Sequence, residues 1–88
     1  MTYAEKIKLI RKAEGLTQVK FYEMVGLSIS TARKFEAGFS EVGLVSLEKI
    51  VKHPRFMKYT LWLMTNTTAP ESGQISPELE TERKSGTA

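Results

Sequence analysis

The sequence predicts an all-α domain of five short helices. Three observations predict it. Apolar residues recur at three- and four-residue spacing in each segment. Polar residues suited to helix N-caps, Thr2, Thr17, Ser28 and Ser46, stand just before four of those segments. Glycines at 15, 26 and 38 stand where the first three segments stop.

The elements follow in order. Helix 1 is expected over residues 3–14. Thr2 and Glu5 have capping-box spacing, Ile7, Ile10 and Ala13 share a face with Tyr3 one turn before, and Gly15 supplies a left-handed stop. Helix 2 starts at Thr17 and runs to about Val25, with Phe21, Met24 and Val25 inward. Gly26 makes the next turn. Ser28 caps helix 3, which reaches about Ala37 with Ala32 and Phe35 inward; Ala32 is small, as a tight helix crossing demands. Residues 39–45 form a loop. Ser46 then caps helix 4, which buries Leu47, Ile50 and Val51 and is stopped by Pro54. Helix 5 begins near Arg55 and ends at Asn66. Beyond it, Pro70, Gly73, Pro77 and Gly86 interrupt any long element, and the last ten or so polar residues are expected to be disordered. The chain thus divides into a folded domain over 1–66 and an extended segment with a tail over 67–88.

Composition narrows the function. The chain has no cysteine, so disulfides and thiolate metal sites are excluded. Lys6 and Lys8 interrupt the N-terminal apolar positions, which argues against a signal peptide, and Tyr59 to Met64 is far too short to span a bilayer. The one histidine, His53, adjoins Pro54 with no paired carboxylates nearby. No catalytic residue, metal or cofactor is therefore expected, and an enzyme is the least favoured reading. The net charge of +3 is unevenly placed. Setting aside Arg83 and Lys84 from the 13 Lys/Arg, and Glu71, Glu78, Glu80 and Glu82 from the 10 Asp/Glu, leaves residues 1–66 near +5 and the rest near −2. A basic globular part suits a polyanion.

The motif that gives this charge a use is Leu16-Thr17-Gln18 … Gly26-Leu27-Ser28 … Phe35-Glu36-Ala37-Gly38. Two short helical patterns flank one glycine, each opened by a polar cap. This is the punctuation of a helix-turn-helix, which lays its second helix in the DNA major groove. Farther on, Phe56, Tyr59, Trp62 and Leu63 form a stripe, and Leu61 and Met64 lie off it. A helix apolar around most of its circumference asks for a second buried face, and a symmetric dimer supplies one.

The spacing Gln18–Gly26–Glu36–Gly38 resembles the Xre/Cro-like helix-turn-helix family over about residues 3–52. The resemblance implies a five-helix lambda-repressor-like fold. It implies that Arg11 and Glu36 pair to join helix 1 to the end of helix 3, and that Gln18 meets a phosphate. In that register Ile29, Ser30, Thr31 and Arg33 read bases: Arg33 forks onto guanine and Ile29 meets a thymine methyl. Thr17, Gln18, Ser28, Lys34 and Ser40 contact phosphates. The chain departs from the family in the loop after helix 3, where Phe39 to Gly43 carry neither a base nor a proline.

Lys58 to Asn66, followed by Ala69-Pro70-Glu71-Ser72-Gly73-Gln74-Ile75, also resembles the short C immunity repressors of the peduoviruses, temperate phages of enteric bacteria. That resemblance implies a homodimer formed through helix 5 (Phe56, Tyr59, Leu61, Trp62, Leu63, Met64) and through Gln74 and Ile75. It further implies double-stranded operator DNA as partner, silencing of the early lytic promoter, maintenance of lysogeny in the cytoplasm of a bacterial host, and control by a phage anti-repressor protein. The alternatives are a Cro-like regulator, an antitoxin-type autoregulator whose acidic tail would bind the toxin, and an interaction module that no longer binds DNA.

Overall fold

The computed structural model describes residues 1–85. Within them the chain forms six α-helices: α1 (Tyr3–Ala13), α2 (Gln18–Met24), α3 (Ile29–Glu36), α4 (Leu44–Val51), α5 (Thr60–Thr65) and α6 (Pro77–Ser85). Two short 3₁₀ turns, Met57–Tyr59 and Pro70–Ser72, complete the path.

The first three helices form as their caps dictate. Thr2 and Glu5 make both bonds of the capping box, at 3.1 and 2.7 Å. Thr17 accepts from the Lys20 N–H at the start of α2, and Ser28 accepts from the Thr31 N–H at the start of α3. Gly26 sits between α2 and α3 with φ +74°, a conformation that costs an L side chain strain even though the space around it is open.

One core gathers these elements. Ile7 and Ile10 of α1, Phe21 and Tyr22 of α2, Ala32 of α3 and Ile50 of α4 are fully buried. Phe56, Tyr59 and Leu63 close the core from the C-terminal side. The Phe21 ring stands edge-on to Tyr22 at 5.0 Å and tilted against Phe56 at 4.8 Å, so α2 is gripped from both sides. α3 packs between α1 and α2 through Ala32 and Phe35.

Three expectations are corrected. First, α4 begins at Leu44 with Gly43 as its N-cap, and Ser46 lies inside the helix. The preference for serine at a cap is worth only about 1 kcal/mol, and Gly43 adopts the extended cap conformation readily. Second, residues 55–66 are not one helix. A turn at His53–Phe56 leads into the 3₁₀ segment, and α5 proper spans six residues before Asn66 closes it at φ +63°. The tighter 3₁₀ winding aligns residues three apart, so Phe56 and Tyr59 both point inward.

Third, the tail expected to be disordered folds back through Ser85. Ala69 and Gln74 exchange both backbone hydrogen bonds around Gly73. Ser76 then caps α6 through the Leu79 N–H, with Pro77 in the first turn, where its missing N–H costs nothing. α6 docks on α1: the Lys84 ammonium donates to the Ala13 carbonyl, and Glu80 is buried against Lys58, Arg83 and Lys84. Residues 86–88 of the expected tail lie outside the described residues.

Candidate nucleic-acid interface

The site is built on α3. Its inward residues are Ala32 and Phe35, and its exposed residues are Ser30, Arg33, Lys34 and, just past its end, Ala37. Those four stand at i, i+3, i+4 and i+7, one continuous outward stripe. Ile29 and Thr31 flank it and are half-buried. Ile29 packs against the core, and the Thr31 oxygen accepts from the Ser28 hydroxyl at 2.9 Å. Both residues expected beside the stripe as base readers are thus partly occupied within the chain.

Glu36 anchors α3 to the scaffold. Arg11 of α1 forks onto its two carboxylate oxygens at 2.9 and 2.8 Å and donates a third bond to the Leu16 carbonyl. Gln18 Nε2 and the Tyr22 hydroxyl, both from α2, also donate to Glu36, at 3.0 and 3.1 Å. One carboxylate therefore ties three helices. Its side chain is 3% exposed and that of Arg11 is 12% exposed, so the pair is sheltered from solvent screening. Burial pushes the Glu36 carboxyl up, but Arg11, Gln18 and Tyr22 outweigh it and hold the group below its ordinary range. Burial and the neighbouring carboxylate raise the Tyr22 phenol, which stays a neutral donor. Gln18, expected on a phosphate, has one of its amide hydrogens on Glu36 in this structure. Tyr22 was not singled out from the sequence, although it lies one turn beyond Gln18 on the same side of α2.

A second ionic knot holds the C-terminal half. Glu14 ends α1, where the helix dipole disfavours a negative charge. Three partners meet it: the Tyr59 hydroxyl at 2.5 Å, Arg55 at 2.7 Å and Lys58 at 3.0 Å. Burial raises this carboxyl, and the three donors more than reverse that, leaving it at about 2. An acidic residue at a helix C-terminus was the available signal, because such a charge needs partners from elsewhere. Lys6 is a further surprise. It stands in the buried stripe of α1 and donates to the Trp62 and Leu63 carbonyls, with its ammonium 5.2 Å from the Trp62 ring centre. It thereby closes the C-terminal end of α5.

The residues expected at a dimer interface divide. Phe56, Tyr59 and Leu63 are fully buried within one chain and present no face to a partner. Gln74 bonds the Leu61 N–H and the Met57 carbonyl, and the Ile75 N–H donates to the Lys58 carbonyl, all within the chain. Leu61 and Trp62 remain half-exposed, and Met64 and the neighbouring Met57 are exposed.

An open groove of about 460 Å³ runs between α1 and α3. Lys8, Arg11 and Lys12 form one wall, Arg33 and Ala37 the other, and Glu36 with Gln18 the floor. Ser40 lies in the following loop, half-buried beside the exposed Phe39. Among the described residues no cluster of three His, Cys, Asp or Glu could hold a metal ion, and no helix is long and apolar enough to cross a membrane.

Two capped helices around Gly26, with the second tied down by its last residue and bare along one face, define a helix-turn-helix protein. A family model described as helix-turn-helix matches residues 7–55, and the chain belongs to that family. It is also 42% identical over 78 residues to Repressor protein C of Escherichia phage P2, a match covering 89% of this chain and 79% of that protein.

Proposed function

We propose that this chain is a phage transcriptional repressor that binds operator DNA through α3, as a homodimer, and silences an early lytic promoter to maintain lysogeny. The observation that carries the reading is the bare stripe Ser30–Arg33–Lys34–Ala37 on a helix locked to its scaffold by Glu36. A rigid helix with one solvated polar face matches the major groove, where Arg33 can fork onto guanine O6 and N7 and Ser30 can meet a base edge. Lys34 suits a phosphate, and the Ala37 methyl suits a thymine methyl. Ile29 and Thr31 are base readers only at the edge of this surface, because each is partly engaged within the chain.

Thr17, Gln18, Ser28 and Ser40 remain candidates for phosphate contacts. Thr17 accepts from the Lys20 N–H and can turn its own O–H toward a phosphate, whereas the Ser28 O–H is donated to Thr31 and would have to leave it to do the same. Similarity to a protein named Repressor protein C supports the regulatory role. The half-exposed Leu61 and Trp62, with Met57 and Met64, form the apolar surface that best suits a second copy. A peduovirus-type arrangement would place operator half-sites as direct repeats, and an anti-repressor protein would relieve repression in the bacterial cytoplasm.

Footprinting on the DNA flanking the gene, at two salt concentrations, tests the reading. A short protected region with two half-sites over the opposing promoter is expected. No protection at either salt, from folded protein, would leave an interaction module in its place.

A further inference from the structure

Of the thirteen Lys and Arg, six meet a carboxylate and seven do not among the described residues; Lys6, Lys20, Lys34 and Lys49 are four of the seven and lie outside the groove between α1 and α3. Lys52, Arg55, Lys58, Arg83 and Lys84 each meet a carboxylate. Lys8, Lys12 and Arg33 meet none among the described residues, and all three line the groove between α1 and α3.

Lys8 and Lys12 stand one turn apart on one edge of α1, with Arg11 turned onto Glu36 between them. Like charges at that spacing repel and weaken a helix. The helix dipole accounts for Lys12 in the last turn but not for Lys8 in the middle. Nor does Glu36 in the floor compensate them, because its oxygens are held by Arg11, Gln18 and Tyr22. Arg11 and Glu36 cancel, so the walls keep an uncompensated positive charge. Arg33 belongs both to this groove and to the outward stripe of α3. A duplex that takes α3 into its major groove therefore passes a backbone strand over the α1 wall.

We propose that Lys8 and Lys12 form a phosphate-gripping edge on α1, each neutralising one backbone phosphate of the DNA strand beside α3. The proposal rests on the DNA-binding reading above. A compact ammonium on a flexible stem suits a phosphate and carries no base code. This edge sets affinity and register, and leaves sequence choice to α3. It also supplies the positive charge that the loop after α3, with no Lys or Arg from Phe39 to Gly43, does not provide.

The test is a titration of the full chain with a labelled short duplex of mixed sequence, read by fluorescence anisotropy over a series of salt concentrations. The Lys8→Gln/Lys12→Gln variant is expected to melt as the wild type does and to show a log affinity against log salt slope shallower by about 1.8, or ~0.9 for each phosphate lost. Over a four-fold rise in salt, the wild type then loses about ten-fold more affinity than the variant. Lys49→Gln changes net charge on α4, away from the groove, and is expected to keep the wild-type slope. A double variant with the wild-type slope overturns the α1 edge while the DNA-binding reading stands. An equal fall per charge for Lys49→Gln overturns it too, by showing a net-charge effect. A wild type that binds no duplex at low salt overturns both.

Discussion

Glu36→Ala is the most informative single change, because one carboxylate closes four hydrogen bonds from α1 and α2. Its removal leaves the Arg11 guanidinium, whose side chain is 12% exposed, with only the Leu16 carbonyl, and it strips Tyr22 and Gln18 of an acceptor. Breaking a buried ion pair from one side costs about 3–5 kcal/mol. Arg11 retains one bond and some water, which favours the lower end, about 3 kcal/mol. A chain of this length holds only about 4–13 kcal/mol in all. The melting temperature should therefore fall by roughly 12–24 °C. Urea unfolding followed by Trp62 fluorescence measures the loss. Replacing both partners by apolar residues, Arg11→Met with Glu36→Leu, should recover much of it, because a well-packed apolar pair often matches a buried ion pair. A loss under about 1 kcal/mol for Glu36→Ala would refute the reasoning, since the knot would then be an ordinary surface pair and could not hold α3 in place.

Other outcomes follow from the same geometry. Glu14 is held at about 2 against an ordinary 4.5, so its contribution, about 3 kcal/mol, is present above pH ~4.5 and lost as pH falls toward ~2. Glu14→Gln should flatten that acid limb of the urea midpoint; an unchanged limb would place the titrating group elsewhere. Truncation after Ser76 removes α6 and Glu80 and should lower the melting temperature, whereas an unchanged melt would show that the helix adds nothing to the fold. Arg33→Ala should cost operator affinity about 1–3 kcal/mol and relax preference at one base pair, while Lys34→Ala should weaken all sequences alike. Operator binding by both variants at wild-type strength would mean that α3 is not the reading helix. Trp62→Ala should shift sedimentation toward monomer, and a dimer that survives it intact would move the interface off α5.

The helix-turn-helix half was legible because its signals are local. A cap, a run of apolar positions and a stop glycine follow one another at about one turn each, as at Ser28, Ala32, Phe35 and Gly38. The Arg11–Glu36 pair came through family spacing, and the structure brings the two side chains together. The C-terminal half was harder to read for physical reasons. Its apolar run reads as a helix with two buried faces, but the 3₁₀ turn redirects Phe56 and Tyr59 into the chain's own core and reduces what remains for a partner. Pro77 has the composition of a breaker, yet after Ser76 it is a helix start.

Glu80 shows why polar composition misled most. A polar tail lacks the apolar surface to fold by itself. Here the acceptor was prepared elsewhere: Lys58 sits between Glu14 and Glu80, and Arg83 and Lys84 close the ring from within α6. The helix docks with Glu80 beside Lys58, which already shares Glu14 with Arg55, and its own Arg83 and Lys84 turn onto the same Glu80. That complementarity spans more than sixty residues of chain, so no local pattern could display it. Glu80 of the tail meets Lys58, Arg83 and Lys84 on the C-terminal side, and Lys8, Lys12 and Arg33 of the α1–α3 groove are left unpaired among the described residues. Three of the unpaired cations thus line one groove, the surface on which the proposed polyanion would find positive charge that no carboxylate of the described residues offsets.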